Sequence, residues 1–151
     1  MVGDLKYGRT VHSLLQAMSH FNPTFRFTSP EELKMPAEYK EFLKERGIPF
    51  EESFSLEEGI SDTDILYMTR VQRERFTDAI EYERVKNIYS LQGSMLNDTR
   101  PNMKILHPLP RINEIAQDVD NSEHAYYFEQ AGNGVYTRMA IITMLLGVNQ
   151  I

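Results

Sequence analysis

Arginine, glutamine and proline sit where this chain leaves its apolar runs, and those residue types can grip anions or offer bare carbonyls. Arg9 follows Gly8 close to the start, Arg70 and Gln72 follow Ile65-Leu66-Tyr67-Met68, and Arg111 follows Ile105-Leu106 by way of two prolines. A guanidinium carries a fixed fork of donors that matches a carboxylate or phosphate bidentately. Two such forks from separate loops suit a dianion such as a dicarboxylate. Each arginine could equally pair with one of the 22 acidic side chains of the chain.

The stretch Met103-Lys104-Ile105-Leu106-His107-Pro108-Leu109-Pro110-Arg111 joins two kinds of backbone. Its first half reads as a buried strand of a parallel sheet. Pro108 and Pro110 have no N–H, and they push His107 and Leu109 toward extended geometry. The chain therefore leaves the sheet as a stiff segment whose carbonyls, that of Leu109 above all, have few local donors. Ligands of open α/β sheets bind at the carboxyl ends of strands. Carbonyls held there suit a ligand with N–H groups, such as an amide or carbamoyl group. A proline-stiffened surface loop accounts for the same residues. His107 is a candidate general acid or base, although a histidine before a proline also serves as a structural residue.

Placing these residues takes alternating strands and helices. Residues 1–5 read as a short first strand and Lys6-Tyr7-Gly8 as its turn. Val11, Leu14, Leu15 and Met18 recur at spacings of three and four, which predicts a helix over residues 9–20, stopped by Asn22-Pro23. Residues 24–28 form a second strand, and Ser29-Pro30-Glu31-Glu32 opens a helical turn. Pro36 and Gly47 bracket a helix over residues 37–46. Residues 48–54 are a third strand, Ser55-Leu56-Glu57-Glu58 starts a short helix, and residues 64–68 are a fourth, central strand.

The stretch from Thr69 to Arg75 is too polar for a core, and Thr77 would cap a helix over residues 78–85. Residues 103–106 are the fifth strand. Residues 125–146 read as one long helix, with Gly132 and Gly134 at a bend or a close-packing site. Such alternation predicts an α/β fold: a parallel sheet of about five strands, helices on both faces and a long C-terminal helix.

Composition narrows the chemistry. The 151 residues make one domain's worth of chain, with apolar and charged fractions of 41% and 25%, ordinary for a soluble globular protein. A net charge of −6, with no basic run interleaved with aromatics, argues against a nucleic-acid partner. The absence of cysteine excludes disulfides, thiolate metal sites and thiol nucleophiles. His12, His20, His107 and His124 show no metal-ligand spacing, so neither a metal nor a cofactor is expected. No apolar run approaches the roughly 20 residues that span a bilayer. The opening residues carry no signal-peptide pattern, which makes the cytoplasm the expected location. Neither Gly132-Asn133-Gly134 nor Gly3-Asp4-Leu5-Lys6-Tyr7-Gly8 completes a dinucleotide-binding fingerprint.

Several stretches resemble one family in the same order. Gly3-Asp4-Leu5-Lys6-Tyr7-Gly8-Arg9-Thr10-Val11-His12-Ser13-Leu14 is similar to the opening of the aspartate-binding domain of aspartate carbamoyltransferases. Asp64-Ile65-Leu66-Tyr67-Met68-Thr69-Arg70-Val71-Gln72, His107-Pro108-Leu109-Pro110-Arg111 and Gln130-Ala131-Gly132-Asn133-Gly134 resemble further family motifs. The resemblance implies a Rossmann-like fold and transfer of the carbamoyl group of carbamoyl phosphate to L-aspartate, an early step of pyrimidine synthesis. It implies that Arg9 and Arg70 grip the two carboxylates of aspartate with help from Gln72. Leu109 and Pro110 fall on the segment whose carbonyls receive the carbamoyl amino group, across a cis Leu109–Pro110 bond, with His107 and Arg111 as supporting residues. The stretch from Arg70 to Val85 falls on a mobile loop that closes over aspartate.

The family's phosphate-binding Ser-Thr-Arg-Thr motif does not occur here, and Asp98-Thr99-Arg100 is only superficially similar. Residues 1–151 therefore read as the aspartate-binding domain without its carbamoyl-phosphate domain, and the chain alone is expected to be inactive. The resemblance also implies catalytic homotrimers, free or joined to regulatory subunits. Ornithine carbamoyltransferases share the fold but carry a cysteine in the counterpart of the His107 stretch, and this chain has none. A non-catalytic scaffold that binds a partner through its last helix is the alternative from another class.

Overall fold

Large aromatics alternate with polar residues along Phe25-Arg26-Phe27-Thr28, and this period of two places Phe25 and Phe27 on one face of a strand. In the computed structural model, which describes residues 1–148, that strand is β1 (Phe25–Thr28), paired in parallel with β2 (Phe50–Ser53). The last three residues of the expected domain lie outside the described residues. A second parallel pair joins β3 (Ile65–Tyr67) to β4 (Lys104–Leu106), with Leu66 opposite Ile105.

Val2 lies between the pairs and bridges Thr28 on one side and Met68 on the other, both in parallel. The Thr28 N–H donates to the Met1 carbonyl at 2.9 Å, and the Val2 N–H to the Tyr67 carbonyl at 2.9 Å. The architecture is α/β with parallel strands, as expected. The described strands nevertheless number four in two pairs, because the first segment contributes one bridging residue instead of a strand. Gly3 is the cause. Its φ is +111°, and a Cβ there would stand 2.4 Å from the Thr69 carbonyl oxygen. The chain turns at Gly3 and buries Asp4 instead of continuing the ladder.

Helices cover both faces. Val11 and Leu15 of α1 (Arg9–Met18) and Leu43 of α2 (Ala37–Glu45) pack with Phe25, Phe27 and Tyr67. On the other face, Leu66 and Ile105 pack with Ile60 of α3 (Glu57–Ile60), with Leu91 and Leu96, and with Tyr127 of α5 (Tyr127–Leu145). Neighbours Leu66 and Tyr67 thus enter opposite cores, as a strand buried on both faces requires. Each such fully buried side chain contributes about 1.5–3 kcal/mol.

The end of α1 tightens into a 3-10 turn at Ser19–Phe21, closed by Asn22 at φ 50°. The helix after the polar stretch is α4 (Ala79–Val85), and its cap is Asp78 rather than Thr77, since an Asp78 oxygen accepts the Ile80 N–H at 2.8 Å. Helix α5 runs through Gly132 and Gly134 as continuous helix. A Cβ on Gly132 would meet nothing within 4 Å, so that glycine marks no close packing here. Among the described residues, no helix is long and apolar enough to cross a membrane.

Candidate functional site

Because all these strands run parallel, the chain leaves Val2, β3 and β4 at one common edge. The first two exits are tied together. The Asp4 N–H donates to Thr69 Oγ1 at 2.9 Å, and that hydroxyl donates to the Val2 carbonyl at 3.0 Å. Thr69, the residue before Arg70, is therefore held against the turn that leads to Arg9. Asp4 is buried, and one of its oxygens accepts the Tyr7 N–H at 2.8 Å. Burial pushes its carboxyl pKa up, partly offset by the Tyr7 and Lys6 N–H groups. Its other oxygen has no hydrogen-bond partner among the described residues. Gly8 keeps this turn tight, since a Cβ there would stand 2.5 Å from the Asp4 carbonyl oxygen.

Arg9 is the first residue of α1 and is exposed. The first turn of α1 holds no acidic residue, and Arg9 makes no ion pair among the described residues. A cation at a helix N-terminus opposes the helix dipole, whereas an anion beside it meets both the dipole and free N–H groups. The position suits an anionic ligand. Arg70 contributes a second guanidinium, paired with Glu74 at 3.0 Å and half-buried. Gln72 accepts from Arg75 Nε at 3.3 Å. A carboxylate ligand on Arg70 competes with an exposed Glu74, a weak rival in water.

The exit of β4 carries the proline turn. The Leu109–Pro110 bond is cis, and Leu109 has φ 51° instead of the extended geometry expected before a proline. The cause is a local hydrogen bond, in which the Leu109 N–H donates to His107 Nδ1 at 2.8 Å and curls the chain. The Leu109 and Pro110 carbonyls receive no hydrogen bond among the described residues. The bare carbonyls foreseen from the prolines are therefore present, in a turn rather than an extended segment.

His107 and Arg111 are placed differently from the other candidates. His107 is 2% exposed and out of reach of solvent. Arg111 forms a bidentate pair with Asp120 at 2.5 Å to each oxygen and a 3.2 Å bond to the Tyr127 hydroxyl, which itself donates to Asp120. The hydrogen bond from Arg111 holds the Asp120 carboxyl below its ordinary range, and Asp120 in turn raises Arg111. The Arg111 fork is thus occupied within the fold.

Glu114 and Gln130, which hold His107, carried no signal as site residues in the sequence. Glu114 follows His107 by seven residues, a helical spacing, but the two prolines between them rule out the helix that would put both on one face. Gln130 was visible only as part of a family motif.

A sequence model of the aspartate/ornithine carbamoyltransferase family, for its Asp/Orn-binding domain, matches residues 1–145. The chain belongs to this carbamoyltransferase family. It is 66% identical over 149 residues to the aspartate carbamoyltransferase catalytic subunit of Bacteroides thetaiotaomicron, covering 98% of this chain and 48% of that subunit. The catalytic subunit of M. jannaschii aspartate transcarbamoylase superposes with a TM-score of 0.87 at 47% identity, over 98% of this chain and 48% of that one. A Trypanosoma cruzi aspartate transcarbamoylase, solved with carbamoyl aspartate and phosphate, gives 0.83 at 33% identity, over 93% and 46% of the two chains. The chain spans about half the length of the carbamoyltransferases it matches.

Proposed function

We propose that this chain is the L-aspartate-binding half of an aspartate carbamoyltransferase. One observation carries the reading: a single sheet edge brings together the helix start at Arg9, the loop bearing Arg70 and Gln72, and the turn with free Leu109 and Pro110 carbonyls. Arg9 and Arg70 take the two carboxylates of aspartate, and Gln72 assists. The Leu109 and Pro110 carbonyls accept the N–H groups of the carbamoyl donor, which points the carbamoyl carbon at the amine. The amine nitrogen bonds to that carbon, the bond to the phosphate oxygen breaks, and phosphate leaves while the amine releases a proton. No covalent enzyme intermediate is needed, and the work of the protein is positioning and charge stabilisation. The loop from Arg70 to Val85 closes over aspartate. The phosphate is held by a separate carbamoyl-phosphate domain, within cytoplasmic homotrimers that stand free or join regulatory subunits.

The test mixes this chain with the carbamoyl-phosphate half of a close relative's catalytic subunit and measures carbamoyl-aspartate, with the chain alone as control. The mixture is expected to be active and the chain alone inactive. Arg70→Ala should lower kcat/KM for aspartate at least ~10-fold, since a hydrogen bond between charged groups is worth about 1.5–3 kcal/mol. An inactive mixture of folded, associated halves would refute the reading and favour a non-catalytic partner-binding module.

A further inference from the structure

We propose that His107 and Glu114 are positioning residues for the carbamoyl donor, acting as a buried relay that aims the Leu109 and Pro110 carbonyls. The proposal rests on the carbamoyltransferase reading above and assigns a role to two groups that reading leaves idle.

Hydrogen-bond partners fix the state of the ring. A backbone N–H can only donate, so His107 Nδ1, which faces the Leu109 N–H at 2.8 Å, carries no proton. The ring proton therefore sits on Nε2, where it is donated to Glu114 Oε1 at 2.8 Å. The other Glu114 oxygen accepts the Ile112 and Asn113 N–H groups, each at 3.1 Å. At the opposite end, the His107 N–H donates to Gln130 Oε1 of α5 at 3.0 Å. The relay thus runs from α5 through His107 to the backbone on both sides of Leu109.

Such a relay is an expensive way to fill space. Burying a carboxylate costs free energy, and a well-packed apolar pair often serves stability equally well. The polar version adds orientation. Leu109 holds a left-handed φ of 51°, a conformation that costs a branched side chain roughly 1–3 kcal/mol and persists only when its surroundings enforce it. The ring nitrogen enforces it through the Leu109 N–H. Pinning that N–H fixes the direction of the next two carbonyls, and Glu114 keeps the ring from turning away. A ligand amino group needs both acceptors in register, and small misplacements of reacting groups cost large factors in rate.

Two substitutions separate positioning from packing. In His107→Asn the amide oxygen stands where Nδ1 stood and accepts the Leu109 N–H as an Asx turn. In His107→Gln the amide reaches the place of Nε2, keeps Glu114 and loses Leu109. The mixed-halves assay reads KM for carbamoyl phosphate and kcat separately, and hydrogen exchange of the Leu109 amide is read on this chain alone. His107→Gln is expected to raise KM for carbamoyl phosphate at least ~10-fold, the equivalent of one misplaced hydrogen bond. His107→Asn should lie between the parent and His107→Gln, since it keeps the Leu109 bond but leaves Glu114 without its ring partner, and its Leu109 amide should remain protected while that of His107→Gln exchanges fast. A packing role ranks the variants the other way, because glutamine fills the larger volume. Equal KM values, or equal Leu109 protection in both variants, would overturn the relay. An inactive parent mixture would refute the transferase reading itself, and the exchange measurement would still decide the turn geometry.

Discussion

Glu114 and Asp4 are both buried carboxyls at the same sheet edge, and their surroundings push them in opposite directions. Burial alone would raise Glu114, but the hydrogen bond from His107 and those from backbone N–H groups outweigh it and hold the carboxyl below its ordinary 4.5. Asp4 is raised above 3.8, because two N–H groups do not offset burial. The signs for stability follow from linkage. Where the folded value is depressed, the unfolded chain takes up its proton first as pH falls. The Glu114 contribution is therefore complete above pH 4.5 and is lost as pH falls through the folded value. Asp4 works the other way, and its ionisation subtracts stability as pH rises. Glu114→Gln should thus cost about 2 kcal/mol near neutral pH, as for one hydrogen bond to a charged group. The thermal midpoint would drop by about 4–8 °C. The gap between parent and variant should shrink as pH falls below 4.5, where the parent glutamate becomes a neutral side chain too. Thermal unfolding from pH 7 down to pH 3 reads this directly. A gap that stays constant over the range would mean that Glu114 is not ionised in the fold.

At the scale of elements, the loop after β3 is held lightly compared with the edge it adjoins. It contains a 3-10 turn at Arg73–Arg75 and the short helix α4, with Val85 as the one buried residue of that helix. Phe76 meets Tyr7 edge-on at 6.3 Å and Tyr82 at 5.7 Å, so aromatic contacts tether the loop to the turn before Arg9. The Asp78 cap gives α4 a local support that does not depend on packing. Asp78→Ala should remove about 1 kcal/mol from the helix and speed amide exchange across residues 79–85 roughly fivefold. Amides of β3 should be unaffected, because they open only with the core. Unchanged exchange in α4 would show that packing of Tyr82 and Val85, not the cap, holds the helix. This cap also shows where sequence reading stops. Pro36 and Gly47 bracket α2 with local chemistry, and the helix lies between them as expected. Thr77 and Asp78 are both good caps, and only the backbone path into α4 chooses between them. The lost first strand and the curled Leu109 have a similar origin, since both depend on partners distant in sequence or on ring geometry. The positions of Arg70 and Leu109 beyond β3 and β4 were legible because apolar runs end where strands end, and that of Arg9 because a helical pattern starts after Gly8. The engagement of Arg111 with Asp120 and Tyr127 was not, because any acid in the chain could have taken that fork.

For the whole molecule, the unusual feature is how little of α5 is covered. Tyr127 is the one buried residue in its 19, whereas Tyr136, Met144, Leu145 and Leu146 are each more than 70% exposed. Val135, Met139, Ile142 and Leu146 follow one another at helical spacing, with Ile141, Leu145 and Val148 beside them. Isolated surface apolar residues are ordinary, but a stripe of this length is the kind of patch that marks an interface. With the relatives twice as long as this chain, a second copy is the cover available to α5 in a pure solution. Two such stripes laid together bury apolar area at about 25 cal/mol per Å², against the entropy of association. The chain should therefore self-associate, with a mass by light scattering that climbs above 17.6 kDa as concentration rises. Replacing Met144 and Leu145 by lysine should return it to the monomer without changing its thermal midpoint, since neither side chain enters the core. Adding the carbamoyl-phosphate half should also lower the mass of the self-associated species, if the two halves use the same stripe. A constant monomer mass at high concentration would mean that the stripe is tolerated in water and that α5 needs no cover to keep this half folded.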